Sequence, residues 1–385
     1  MIATAVARET PLELVAGGSK RGLGRPVEAA ASLDLSSLSG VTLYEPEELV
    51  LTARPATPLA DVEALLLQRG QMLAFEPPDL RGLIGGEGTP TLGGAIACNL
   101  AGPRRLKAGA ARDHLLGFKG VSGRAEIFKS GGRVVKNVTG YDLCKLMAGS
   151  YGTLAALTEI TVKVLPAPER IRTVLLYGLD DAAAIRALTI AAQSPHEVSG
   201  LAHLPPAIAA RVAVDYVANA GKAVSAVRLE GPEQSVKPRT EALHALWRPF
   251  GATEELHSMR SRGFWSALRD VAPFLGSERQ VWRLHLAPSA AAETVAVIRR
   301  QLDCEAYYDW AGGLVWLALA PREDAGADII RGAAAPGHAM LVRAEVGVRR
   351  QVPVFQPRGE ALAALSSRVA AAFDPKRVLN RGRMS

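Results

Sequence analysis

Apolar and polar positions along this chain change period, and the change divides it. Between residues 11 and 165 the apolar runs are short and bounded by glycine: PLELV, then LDLSSLSGVTLYEP, AEIFKS, RVVKNV and TLAALTEITVKVL read as β-strands between turns. One stretch there has a helical period. In LADVEALLLQRG, Leu59, Val62, Leu65 and Leu66 fall on one face, and Gly70 stands where a helix is capped. After the proline-containing break LPAPER (165–170) the elements lengthen. RTVLLYG reads as a strand, DDAAAIRALTIAAQ as a helix capped by Asp180 or Asp181, and VWRLHLAP as a strand. SAAAETVAVIRRQLD reads as a helix capped by Ser289, CEAYYDWAGGLVWLALA as a hairpin turning at Gly312 and Gly313, and MLVRAEV as a closing strand. This alternation predicts an α+β domain with an antiparallel sheet of ferredoxin-like character. A last helix runs from about Gly359 to Phe373 and stops at Asp374-Pro375. No internal repeat is visible in the letters.

Composition narrows the class. With 385 residues, 48% of them hydrophobic, the chain is globular and long enough for two domains. No apolar run reaches the length of a membrane span, and the opening MIATAVARETPLELV carries charge where a signal peptide is apolar, so a cytoplasmic location is expected. Cys98, Cys144 and Cys304 stand far apart with no CxxC, which argues against disulfides, structural zinc or an iron–sulfur cluster, and no metal is expected. The net charge of +7 is scattered, aromatics are few and no nucleic-acid module is present, so nucleic acid is the weaker reading; an anionic membrane surface, an acidic protein partner or simple solubility stay open.

The candidate chemistry lies in glycine. GGSKRGLG (17–24) follows a strand; it is neither a Walker A loop nor GxGxxG, and it reads either as a surface turn or as backbone N–H groups aimed at a phosphate. TLGGAIACNLAG (91–102) offers main chain with almost no side-chain cover, and Arg104, Arg105, Lys107 and Arg112 follow it. Bare backbone near arginines suits a flat anionic cofactor. A tight packing contact is the alternative.

Taken in order, these two segments with GAARDHLLG and KNVTGYDLCKLMAGSYGTLAALTEITVKVLP resemble the FAD-binding domain of the vanillyl-alcohol oxidase flavoprotein superfamily. Within it they are most similar to the FAD-binding subunits of bacterial glycolate oxidases. The resemblance covers residues 10–168 and the terminal DPKRVLNRGRM, and is weaker between. It implies a two-subdomain FAD-binding domain (1–168), an inserted ferredoxin-like antiparallel α+β cap (169–355) and a C-terminal segment (356–385) returning to the first domain. It further implies that Gly17, Gly18, Ser19, Lys20, Gly22 and Gly24 form the loop holding the FAD pyrophosphate. Thr91, Gly93, Gly94, Ala97, Asn99 and Gly102 match the second loop, packed on pyrophosphate and flavin, and Gly152, Thr153 and Leu154 match the closing turn. The first loop has no His or Cys, so FAD is expected to be held non-covalently. ARPATP (53–58) and NRGRM (380–384) depart from the family phrases by losing a glycine and a proline.

The resemblance implies oxidation of a small 2-hydroxy acid such as glycolate, in a complex with a larger FAD-containing catalytic subunit and an iron–sulfur subunit, with possible peripheral membrane association. A self-sufficient FAD oxidoreductase of a hydroxy acid, sugar or lactone stays open, as does a flavin-holding scaffold. None of the seven histidines falls in a GDGNxH or HxxxH motif, so the base is not identified, and His114 reads as structural. Arg343, Arg349 and Arg350 are candidates for binding a substrate carboxylate; an exposed basic patch for a partner explains them as well.

Overall fold

The computed structural model describes residues 1–133 and 140–384. Most of the RVVKNV run and the KNVT part of the family motif lie outside the described residues. The chain forms two compact units, 1–101 with 109–167 and 357–385, and 102–108 with 168–356. The second unit thus takes residues 102–108, which the sequence reading left in the first.

Unit 1 opens with a helix that the sequence reading did not find, Ile2–Arg8, whose Ile2 and Ala5 share a small core with Leu12, Val378 and Leu379. Strands β1 (Leu12–Val15) and β2 (Ala31–Asp34) pair in parallel, with the glycine-rich loop between them. β3 (Val41–Glu45), β4 (Val50–Ala53), β6 (Leu115–Ser122), β7 (Ile127–Gly131) and β8 (Ala155–Lys163) make an antiparallel sheet ordered β3-β4-β8-β6-β7. Short β5 (Gln71–Met72) and β9 (Leu165–Pro166) pair separately. The predicted helix is present at Leu59–Leu67, burying Val62 and Leu66 against Leu51, Phe118 and Ile160 of the sheet. Another helix, Leu92–Ala97, occupies the glycine-rich zone that the sequence left without structure; Thr91 caps it, its Oγ1 accepting from Gly94 N at 3.2 Å. Two glycines disfavour a helix, and contact decides the matter: a Cβ on Gly93 would lie 2.6 Å from Pro55 Cβ.

Unit 2 is built on one eight-stranded sheet. In chain order its strands are β10 (Arg170–Tyr177), β11 (Gly200–Leu204), β12 (Val224–Gly231), β13 (Thr253–His257), β14 (Gln280–His285), β15 (Cys304–Asp309), β16 (Leu314–Leu319) and β17 (His338–Arg343). Across the sheet they run β13-β10-β12-β11-β15-β16-β14-β17, with every pair antiparallel. Each half is a ferredoxin-like βαββαβ unit: helices Asp181–Gln193 and Glu233–Trp247 serve the first, Ala291–Arg299 and Ala327–Ala334 the second. The unit is therefore a structural duplication, a correction to the reading of no repeat; it lives in strand order, which apolar strands of any sequence can fill. All four helices cover one face, where Leu188, Trp247, Val295 and Ile330 meet Val174, Val227, Trp282 and Leu317. Asp180 caps its helix as expected, but Ala290, the last residue of a 3-10 turn over Pro288–Ala290, stands where Ser289 was expected to cap.

The two halves meet along β11 and β15, where His203 pairs with Tyr308. Asp181 closes this seam: it accepts from Tyr308 OH at 2.6 Å and Arg299 Nη1 at 2.8 Å, and lies 3.3 Å from His203 Nε2, whose other nitrogen is 3.0 Å from Ser225 Oγ. Burial alone would raise the Asp181 pKa, but the bonds from His203 and Tyr308 and the charge of Arg299 hold it at about 2, against an ordinary 3.8. A depressed carboxyl stabilises the fold above its unfolded pKa and loses that contribution as pH falls through the folded value. Between about pH 4 and pH 2 the protein is therefore expected to lose on the order of 2 kcal/mol from this group. Thermal unfolding across that range will show a shallower fall for Asp181→Asn than for the wild type.

Candidate functional site

The first glycine-rich loop is fixed by backbone on both sides. Thr89 N donates to Gly17 O at 2.8 Å, and Gly18 bridges to Thr89 in parallel fashion. The approach is so close that a Cβ on Gly17 would fall 1.9 Å from Thr89 O, and one on Gly88 2.0 Å from Gly17 O. From the other end of the chain, Asn380 Oδ1 accepts from Leu14 N and its Nδ2 donates to Tyr151 O, both at 2.8 Å. Arg383, buried, donates through Nη1 to the carbonyls of Arg21 and Leu23 at 2.8 Å each. Gly24 sits at φ 75 with Arg383 pressed where its side chain would be.

These segments line an open cleft in unit 1 with room for about 130 Å³. The structure brings Gly17, Gly18, Ser19, Lys20, Thr91, Gly93, Gly94, Ala97 and Gly152 to its wall. It does not bring the others. Gly22 packs on Ile84, Thr153 Oγ1 donates to Ser150 O at 2.7 Å, Leu154 is in the core, and Asn99 Oδ1 accepts from Arg112 N at 3.0 Å. Gly102 belongs to unit 2, where its carbonyl accepts from Trp310 Nε1 at 3.1 Å. The sequence reading missed Pro55, Cys98, Tyr151, Asn380 and Arg383 as wall residues; the resemblance of the terminal segment was the one signal for the last two.

Charge in the wall is selective. Arg21 is bound to Glu13, its Nε donating to Oε1 at 3.0 Å, and Arg383 Nη2 reaches the same oxygen at 3.4 Å. Lys20 Nζ lies 3.3 Å from Ser19 Oγ and has no carboxylate at ion-pair distance among the described residues; burial lowers its pKa. Burial also pushes the Cys98 thiol up to about 11, so it is neutral at physiological pH. A cleft of glycines and alanines with one half-buried ammonium fits a dinucleotide diphosphate beside a flat ring: main chain approaches closely and the charge is met by an anion. Lys20→Gln is expected to weaken FAD binding by on the order of tenfold or more. The apoprotein will melt no lower, because the lost charge was penalised by burial; titration of apoprotein with FAD and apoprotein melting curves check both.

Other basic and titratable side chains are engaged within the protein. Arg104 and Lys107 do not serve an anionic ligand: Arg104 Nη2 pairs with Glu230 at 2.8 Å and Lys107 with Glu197 at 3.1 Å, all in unit 2. Arg343 braces a loop, donating to Arg279 O at 2.7 Å, Phe274 O at 3.0 Å and Ser277 Oγ at 3.2 Å. Arg349 is buried and Arg350 exposed on the helix Val346–Gln351, and neither lines the cavity. His114 is buried against Phe75, its Nδ1 3.2 Å from Lys163 O. No cluster able to hold a metal occurs among the described residues, and no helix among them is long and apolar enough to cross a membrane.

A glycine-walled cleft and a ferredoxin-like duplication inserted in the chain point to a class, the FAD-linked oxidoreductases. Residues 1–131 match the FAD binding domain family. The fold is similar to 4-ethylphenol oxidase from Gulosibacter chungangensis, TM-score 0.73 at 13% identity over 100% of this chain and 86% of that one. It is also similar to p-cresol methylhydroxylase, TM-score 0.70 at 13% identity over 100% and 85%. The chain is 36% identical over 381 residues to glycolate oxidase subunit GlcE of Escherichia coli K12, covering 99% of this chain and 94% of that protein. It is 31% identical over 224 residues to glycolate oxidase subunit GlcD of Bacillus subtilis, covering 57% and 46%. The chain belongs to the family of the glycolate oxidase subunit GlcE, and FAD is its cofactor.

Proposed function

We propose that this chain is the FAD-binding subunit of a glycolate oxidase complex, oxidising glycolate or a similar 2-hydroxy acid to the 2-oxo acid and passing electrons to an iron–sulfur partner beside a larger flavoprotein subunit. The observation that carries this reading is the match to the Escherichia coli subunit along 99% of the chain, through the cofactor cleft and unit 2 alike. In it, Gly17, Gly18, Ser19 and Lys20 hold the FAD diphosphate, Thr91, Gly93, Gly94 and Ala97 receive diphosphate and flavin, and Gly152 closes the turn. Bound non-covalently, FAD supplies the acceptor for the hydride of the substrate. The chain's own share is to present bare backbone, place Lys20 against the phosphates and keep bulky side chains off the ring. The net charge of +7 favours docking on an acidic partner or an anionic membrane surface.

The test is to purify the chain alone and with its partner subunits, record the flavin spectrum, and add glycolate or D-lactate. Bleaching only when the partners are present is the expected result. Bleaching of the isolated chain would replace this reading with a self-sufficient oxidoreductase, and a colourless, FAD-indifferent protein would end it.

A further inference from the structure

The face of the unit 2 sheet turned away from its four helices carries a row of side chains that the cofactor cleft does not use. Strand register assembles it. Arg283 on β14 lies opposite Trp316 on β16 and Met340 on β17; two residues along, His285 lies opposite Leu314 and His338. Side chains alternate along a strand, so Arg283 and His285 share a face while Trp282 and Leu284 enter the helix-covered core. Arg283, His285 and Met340 are half-buried and His338 is exposed.

Aromatic rings hold the charges in place. The Arg283 guanidinium stands 5.4 Å from the Trp310 ring centroid and 5.8 Å from that of Trp316, Arg105 stands 4.8 Å from Trp310, and the His285 ring lies 5.4 Å from it. Trp310 keeps this position against its own backbone preference. It has φ 53 and the next residue, Ala311, φ 56, in the left-handed region that side chains bearing a Cβ avoid. Asp309 Oδ1, accepting from Trp310 N at 2.7 Å, and the bond from Trp310 Nε1 to Gly102 O fix the strained turn. Burial, then the charges of Arg283, Arg105 and His338, press the His285 pKa down to about 2, so at neutral pH the ring is uncharged and can donate or accept.

We propose that this row is a subsite for a small carboxylate, with Arg283 receiving the carboxylate, Arg105 on its Trp310 platform adding positive charge, and His285 and His338 facing the hydroxyl or oxo group beside it. A guanidinium presents a planar fork of N–H groups, the geometry a carboxylate accepts, and aromatic rings beside it limit its motion. The subsite deepens the reading of the chain as a 2-hydroxy-acid oxidoreductase subunit and rests on that reading for its substrate class.

Oxalate, a planar acid of the right size, is the probe, titrated by calorimetry into the holoprotein and its variants. Saturable binding is expected, weakened by on the order of tenfold or more in Arg283→Gln, partly restored in Arg283→Lys and unchanged in the surface control Arg322→Gln. Should Arg283→Gln fail to fold, His338→Gln, at an exposed position, is expected to weaken binding in the same direction. No saturable binding to the wild type overturns the proposal, as does wild-type affinity in a folded Arg283→Gln or His338→Gln protein. Flavin absorbance is read in the same samples. A protein that holds FAD and ignores oxalate overturns the subsite alone; one that binds oxalate and never holds FAD overturns the functional reading and leaves the subsite standing.

Discussion

A Gly17→Ala variant will purify without flavin and will not take it up on titration with FAD. The added methyl carbon would stand 1.9 Å from Thr89 O and 2.8 Å from Thr91 Cγ2, closer than non-bonded atoms approach. Both neighbours belong to the segment that runs into the second loop, and Thr89 O is main chain, so no rotamer change relieves the clash. The two loops have to separate, which breaks the 2.8 Å bond from Thr89 N to Gly17 O and widens the cleft. The expected loss is at least a hundredfold in FAD affinity, with a stability cost of about 1–3 kcal/mol typical of overpacking. Gly332→Ala, where a Cβ meets nothing within 4 Å, is the control. Full flavin content in Gly17→Ala would show that these loops do not grip the cofactor together.

Glu230→Leu is expected to destabilise the protein by about 3–5 kcal/mol, the cost of leaving buried charge uncompensated. Glu230 and Arg104 side chains are each 9% exposed, joined at 2.8 Å, and Arg228 lies 3.7 Å away on the other side. Burial alone would raise the Glu230 pKa; Arg228 and Arg104 hold it at about 2. Removing the carboxylate takes the counter-charge from Arg104, while Arg228 keeps its bonds to Ser199, whereas Arg104→Met together with Glu230→Leu removes most of the problem at once. The double variant should recover part of the loss in urea denaturation. Equal urea midpoints for wild type and Glu230→Leu would contradict this account of the cluster.

What the sequence made legible follows from which interactions are local. Strand period and the Asp180 cap act within a few residues, and so β10, β14, β16 and the helix Asp181–Gln193 were readable. Positions that admit only glycine were readable for the same reason, because the residue type records the close contact at Gly17 and Gly93 even when the partner is unknown. The partners themselves were not. Thr89 against Gly17, Pro55 against Gly93 and Arg383 against Gly24 are contacts between distant segments, and nothing in residues 17–24 names them. Arg104 misled because an arginine beside bare backbone looks the same in sequence whether its counter-charge is a phosphate or Glu230, 126 residues further on. The duplicated topology of unit 2 left no trace because strand order is set by pairing, while each strand needs only to be apolar.

The hold that Asn380 and Arg383 keep on the first loop has a temporal side. Leu14 and Asn380 are 366 positions apart, and Arg21 and Arg383 are 362. A ribosome therefore finishes the nucleotide-facing loop long before the clasp arrives. Until then a nascent polypeptide has the loop but lacks its lock. Closure of the cleft thus waits on the translation of Asn380 and Arg383.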